Sequence, residues 1–225
     1  MKICCLSDTH GNLPVVPECD ILLLAGDYTP MHSKDTFTDW FLIDFVSWLK
    51  ECKQRCKYIV GVAGNHDFFF DNKSYPENIK LNYLYNFYKN IVNKPDNWYY
   101  LENSSVNIEG FNIYGTPYQK RFYDWAFNLD EEELNKNFEK IPENTDIILT
   151  HGPPHGILDK SVYGNERIGS LSLKERALEI NAKLVVFGHN HDCGILKVEN
   201  TIFVNASYVD NAYVAHGKSP IIVEL

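Results

Sequence analysis

Five short apolar runs recur along the chain, and each ends in Gly, Asp or His. Residues 2–7 read Lys-Ile-Cys-Cys-Leu-Ser and stop at Asp8-Thr9-His10-Gly11. Residues 20–25, Asp-Ile-Leu-Leu-Leu-Ala, stop at Gly26-Asp27, and residues 57–62 stop at Ala-Gly-Asn65-His66-Asp67. Residues 146–150 end at His151-Gly152, and residues 183–188 end at His189-Asn190-His191. Continuous apolar runs of this length predict strands buried on both faces.

Between these runs the period changes. Residues 35–53 place Phe37, Trp40, Phe41, Phe45, Trp48 and Leu49 at helical spacing, and 77–91, 131–139 and 171–181 read similarly. Pro76 falls near the first turn of the second helix, and Asp130 is placed to cap the third. Strands alternating with helices predict an α/β fold. Alternating segments at 105–109 and 111–115, 194–198 and 201–205, and 220–225 predict antiparallel additions. A mixed sheet, or two packed sheets flanked by helices, fits this order. The sequence shows no internal repeat and no linker, so the expectation is one domain over residues 1–225.

Composition narrows the classes. The 225 residues include 44% apolar and 23% charged residues, as in a globular domain with a full core. The net charge is −9 and no Lys/Arg cluster stands out, which argues against a grip on long nucleic acids. Small anionic substrates stay open if metal ions supply the positive charge. No apolar run approaches membrane-spanning length, and the chain enters a strand directly after Met1. The six cysteines form no CxxC pair. They read as thiols of a reducing compartment, and the expectation is a cytoplasmic protein.

In α/β sheets, ligands bind at the carboxyl ends of strands. Five strands ending in Asp, Asn and His therefore point to one rim holding Asp8, His10, Asp27, Asn65, His66, His151, His189 and His191. Each piece alone has an ordinary explanation: an Asx turn for Asp8-Thr9-His10, a satisfied core histidine for His151. Together they make a metal site, because His, Asp and Asn donors suit borderline divalent ions.

The order Asp8-x-His10, Gly26-Asp27, Gly64-Asn65-His66-Asp67, His151 and Gly188-His189-x-His191 resembles the calcineurin-like metallophosphoesterases. Further segments resemble the metallophosphoesterase domain-containing branch of that superfamily. They are Ile113-Tyr114-Gly115-Thr116-Pro117, Asp124-Trp125-Ala126-Phe127-Asn128, Thr150-His151-Gly152-Pro153-Pro154-His155-Gly156 and Phe203-Val204-Asn205-Ala206-Ser207. The resemblance implies a four-layer α/β/β/α double β-sandwich with a dinuclear site at its rim. It puts one ion on Asp8, His10, Asp27 and His191, and a second on Asp27, Asn65, His151 and His189. Asp27 bridges them, and the two ions activate a shared water. Manganese is the first expectation, with iron, zinc or nickel as alternatives.

His66 is implied as the non-ligand, either donating to the leaving oxygen or binding the phosphoryl group. Asp67 either orients His66 or serves only as a turn residue. His155, Arg121 and Arg167 are candidate substrate contacts, with a solvated surface as the alternative for each arginine. Tyr118 and Phe122 either stack on a base or pack in the core. The implied activity is hydrolysis of small phosphodiesters such as cyclic nucleotides. A phosphomonoesterase, a phosphoprotein phosphatase and a non-catalytic module on the same fold are the alternatives.

Overall fold

The computed structural model describes residues 1–31, 40–71, 96–161, 164, 166–215 and 219–225. The five apolar runs are strands: β1 (Lys2–Leu6), β2 (Cys19–Ala25), β3 (Cys56–Val62), β9 (Ile147–Thr150) and β10 (Leu184–Phe187). They pair in parallel as β1 with β2, β2 with β3, and β9 with β10. Shorter strands complete two sheets. These are β4 (Trp98–Tyr100), β5 (Ser104–Ile108), β6 (Phe111–Thr116), β11 (Gly194–Val198), β12 (Thr201–Asn205) and β13 (Ile221–Glu224). One sheet runs β13-β1-β2-β3-β4, and the other runs β11-β12-β10-β9-β6-β5. A separate parallel pair joins β7 (Gln119–Lys120) to β8 (Asn128–Leu129).

Strand alternation sorts the apolar side chains into three layers. Ile3, Cys5, Ile21, Leu23, Val60 and Val62 of the first sheet meet Ile147, Leu149, Leu184, Val186 and Val204 of the second. Cys4, Leu6, Leu22 and Leu24 point the other way. They are covered by Phe41, Phe45 and the helix α1 (Val46–Lys53). On the far side, Ile148, Val185, Phe187 and Phe203 are covered by two helices. These are α2 (Glu131–Phe138), through Leu134 and Phe138, and α3 (Leu171–Glu179), through Leu173 and Ala177. The layers are therefore α/β/β/α, the double sandwich that the resemblance implied. This explains why the runs are apolar throughout: neither face of β1, β2 or β10 reaches water.

Helix boundaries differ from the periodic reading in one place. Of the helix expected over 35–53, residues Trp40–Phe45 form a π-helical turn and α1 begins only at Val46. Residues 35–39 and the helix expected over 77–91 lie outside the described residues. Asp130 does cap α2, whose Glu133 carboxylate accepts from the Asp130 N–H at 2.9 Å. Cys52 lies in α1 and Cys56 opens β3. Among the described residues, no helix is long and apolar enough to cross a membrane.

The two sheets are stitched together at the rim where the parallel strands end. Ser7 N–H donates to the Ala206 carbonyl at 2.9 Å, and Ala206 N–H to the Phe187 carbonyl at 2.7 Å. Gly188 N–H donates to the His151 carbonyl at 3.0 Å. The Ser7–Ala206 bond crosses between the sheets, and the other two tie together the loops of the second sheet.

Candidate metal centre

All eight residues expected at the rim meet there. His10 Nε2 lies 3.7 Å from Asp27 Oδ2 and 3.3 Å from His191 Nε2. His191 Nε2 lies 3.4 Å from Asp8 Oδ1, and His151 Nε2 lies 3.4 Å from Asp27 Oδ2. Asn65 Oδ1 sits between His151 Nε2 at 2.9 Å and His189 Nδ1 at 2.8 Å. Asp8 and Asp27 are almost wholly buried.

The local backbone explains how such short segments turn their donors inward. Asp8, His10, Asp27, His189 and His191 all have positive φ, between 42° and 77°. Asp and His are among the few residue types that tolerate this region, and strain of this kind gathers at functional sites. Two glycines hold the loops close. A Cβ on Gly188 would lie 2.0 Å from Asp8 Oδ2, and one on Gly64 would lie 2.2 Å from Asp27 Oδ1.

The donor set fits divalent cations on the chemistry of its hydrogen bonds. His151 Nδ1 donates to the Ala25 carbonyl at 2.8 Å, and His191 Nδ1 donates to the Asp210 carbonyl at 2.9 Å. Each Nε2 is thereby left as a lone pair in the neutral ring. The two lone pairs face acceptors: the Asp27 carboxylate and Asn65 carbonyl for His151, the Asp8 carboxylate for His191. Acceptors facing acceptors need a proton or a cation between them. Among the described residues, three overlapping groups could hold a cation: Asp8, His10 and His191; His10, Asp27 and His66; Asp8, Asp27 and His151.

Electrostatics follow the same geometry. Burial holds the His10 imidazole down at about 4 against the pull of Asp27 and Asp8. Burial, reinforced by His151, holds His189 at about 3. Burial also opposes charge on His151, but Asp27 and Asp8 together lift it to about 9. Burial raises Asp27, yet the surrounding histidines, His151 foremost, carry it well below the ordinary carboxylate range.

His66 borders the same Asp27 carboxylate from the cavity side. Its backbone N–H donates to Asp27 Oδ1 at 2.7 Å, while its ring packs on Trp125 at 4.2 Å and edge-on to His10 at 4.8 Å. Its Nε2 is 3.9 Å from Asp27 Oδ2, on the wall of a cavity of about 160 Å³. Phe122, Asn211 and Tyr213 line the same cavity.

Several expected contacts lie elsewhere. Asp67 does not orient His66. Its Oδ2 accepts from the Asp27 and Gly64 N–H groups at 2.7 and 2.8 Å. Its Oδ1 accepts from Tyr28 N–H, Thr29 N–H and the Thr29 hydroxyl. Burial and the nearby Asp27 charge push the Asp67 carboxyl up to about 7, against these five donors. It is the clamp between the loops after β2 and β3. Arg121 faces Asp130 and Glu133 at the start of α2, with Nε 2.8 Å from Asp130 Oδ1. Arg167 and His155 converge on the buried Asp159, at 2.6 and 3.9 Å, instead of entering the cavity. Tyr118 packs against Phe127 in the core, whereas Phe122 is 42% exposed and edge-on to His189.

Three residues matter here without any sequence signal for their role. Ser207 donates to Asp8 Oδ2 at 2.9 Å. Asn190 donates to the Leu158 carbonyl at 2.9 Å and accepts from Asn205. Tyr213 stands edge-on to both His10 and His191.

Comparison with known proteins agrees with this geometry. The family model for calcineurin-like phosphoesterases matches residues 1–193. Metallophosphoesterase domain-containing protein 1 of Homo sapiens is 33% identical over 238 residues, covering 100% of this chain and 71% of the relative. UPF0046 protein K07C11.7 of Caenorhabditis elegans is 30% identical over 92% of this chain and 69% of its own. Among solved structures, phosphopantetheinyl hydrolase from Mycobacterium tuberculosis superposes with a TM-score of 0.61 at 14% identity, covering 98% of this chain and 95% of its own. The protein TT1561 of Thermus thermophilus gives 0.60 at 13% identity, covering 92% and 88%. At those identities the structural matches speak to the fold alone.

Proposed function

Because the chain belongs to the calcineurin-like phosphoesterase family, a family of metal-using hydrolases, we propose that it is a two-metal phosphodiesterase acting on small diesters such as cyclic nucleotides. The observation that carries this reading is the ring of facing acceptors around Asp27, open on one side to a cavity with aromatic walls. Asp8, His10, Asp27 and His191 would hold one divalent ion, and Asp27, Asn65, His151 and His189 the other. Mixed nitrogen and oxygen donors favour manganese, iron, nickel or zinc, with manganese the first choice. When bound, two such ions sharing a carboxylate supply an activated water and neutralise charge on the transferring phosphoryl group.

The chain's own residues supply the rest. Asp27 accepts the His66 backbone N–H, which fixes the histidine beside the bridging carboxylate. Burial lowers the His66 pKa and favours the neutral ring near pH 7, whose remaining N–H would donate to a phosphoryl or leaving oxygen. Phe122 and Tyr213, on the cavity wall, offer ring faces or edges to a nucleobase. The balance of 30 acidic against 21 basic residues disfavours long polyanions as substrates. Six unbridged cysteines suit a reducing compartment, for which the cytoplasm is our reading.

Metal-stripped protein assayed with bis(p-nitrophenyl) phosphate before and after Mn²⁺ addition tests the proposal. Activity should appear only with metal, and 2′,3′- or 3′,5′-cyclic nucleotides should be cleaved faster than p-nitrophenyl phosphate or phosphopeptides. Full turnover in excess chelator defeats the metal reading. A preference for monoesters defeats the diester reading alone.

A further inference from the structure

A second constellation of reactive side chains sits at the opposite end of the first sheet. Cys19 opens β2 and Cys56 opens β3, whereas Asp27 and Asn65 follow the far ends of those strands. With about 3.3 Å per residue, the seven residues of β2 separate the two rims by roughly 20 Å. Cys19 and Cys56 are direct partners in the parallel register. Paired positions on neighbouring strands lie about 4.8 Å apart, inside the Cα separation of roughly 4.4–6.8 Å that a disulfide spans. Their sulfurs already lie 3.1 Å apart, and the Cys19 N–H is pinned to the Arg55 carbonyl at 3.0 Å.

The half-buried Cys19 lines a cavity of about 480 Å³, with the buried Cys56 beside it. Its wall carries four cations, Lys2, Lys53, Arg55 and Lys57, against two acids, Glu18 and Asp20. Lys57 pairs with Asp20 at 2.8 Å, and Lys53 pairs with Asp96. The cavity therefore presents a net positive wall beside two sulfurs, on a protein whose overall charge is −9. Neither the phosphoesterase site nor the core explains that local reversal of sign.

We propose that Cys19 and Cys56 form a redox-switchable dithiol, oxidised to an inter-strand disulfide by an anionic low-molecular-weight disulfide that docks in this cationic cavity. The Cys19 thiolate attacks one sulfur of the small disulfide, forming a mixed disulfide and expelling one thiolate. Cys56, having lost its proton to solvent, attacks Cys19 Sγ and expels the second. Two protein thiols are oxidised by two electrons, and one small disulfide is reduced to two thiols. The order of attack follows from the surroundings. Sulfur contacts with Cys4 and Cys56, and the Lys2 ammonium, lower the Cys19 pKa despite burial, and Cys19 is the more exposed of the pair. Cys56 is raised by its hydrogen bond to Cys19 and by burial, so it acts second.

The test uses the full chain carrying Cys193→Ser, so that the exposed thiol does not compete. Glutathione disulfide should remove two titratable thiols, and peptide mapping should link Cys19 to Cys56. Adding Cys56→Ser should stop the reaction at one glutathionyl group on Cys19. Cystamine, a cationic disulfide, should react about tenfold more slowly at low ionic strength, and salt should narrow the gap. A disulfide mapped to another pair, an adduct on another cysteine, or cystamine reacting as fast as glutathione disulfide would overturn the proposal. Should a serine at position 56 unfold the chain, Cys56→Ala read by the same adduct mapping decides the order of attack.

Discussion

Replacing Asp67 separates a structural clamp from a catalytic partner. Its carboxylate takes four backbone N–H donors and one hydroxyl, all from the loops after β2 and β3, in a residue 1% exposed. A hydrogen bond to a charged group contributes about 1.5–3 kcal/mol, so simple addition would give upwards of about 7 kcal/mol. That sum overshoots, because the bonds share one carboxylate and the loops would relax once it is gone. Breaking a buried charged network by removing one partner typically costs about 3–5 kcal/mol. Asp67→Ala should therefore destabilise by roughly that amount. Asp67→Asn, which keeps one acceptor oxygen but turns an NH₂ toward N–H donors, should lose about 2–3 kcal/mol. Urea unfolding at pH 8.5, above the raised Asp67 pKa, in chelator reads this without any contribution from bound metal. If Asp67→Ala lost under about 1 kcal/mol while kcat fell a hundredfold or more, the clamp reading would fail and an orienting role toward His66 would return.

Other variants probe separate links. Asp27→Ala should abolish binding of both ions and all turnover, read by metal analysis and the diester assay. His66→Ala should keep both ions while turnover falls about 10²–10⁴-fold, and loss of metal would show His66 to be a ligand. Gly188→Ala places a Cβ 2.0 Å from Asp8 Oδ2, so bound metal per chain should drop even where circular dichroism is unchanged. Glu131 accepts from Ser170, Ser172 and the Ser172 N–H at the start of α3. Burial opposes its charge, but these donors lower its folded pKa below the unfolded value. Its contribution is therefore complete above the unfolded pKa of about 4.3 and fades as pH falls through the folded one. Glu131→Gln should lower Tm at pH 7 and flatten the loss of Tm on acidification, and an unchanged pH profile would refute this.

The parts of the fold that were legible in sequence share a physical cause. β1, β2, β3, β9 and β10 are buried on both faces, so their sequences are apolar throughout and their ends are abrupt. The two-residue β7 and β8 carry no such pattern, and β4 is marked only by Trp98, Tyr99 and Tyr100. The π-helical turn before α1 keeps Phe41 and Phe45 buried, so periodicity alone reads straight through it.

The eight rim residues were legible because each follows a strand end, where an α/β sheet places its ligands. Roles were harder to read than membership. Asp67 next to His66 in sequence suggests a partner, but the backbone sends the two side chains in different directions. His155 and Arg167 lie in loops whose nearest buried charge is Asp159, and that carboxylate claims them. Tyr213 and Asn211 reach the cavity from a loop after β12 that has no periodic signal.

Anomalous scattering from crystals of metal-stripped protein reloaded with Mn²⁺ tests the central claim most directly. The account predicts two peaks about 3.5–4 Å apart, one on each side of the Asp27 carboxylate, with Asn65 and His151 at one and Asp8 and His10 at the other. A single peak, or ions bound away from Asp27, would contradict it.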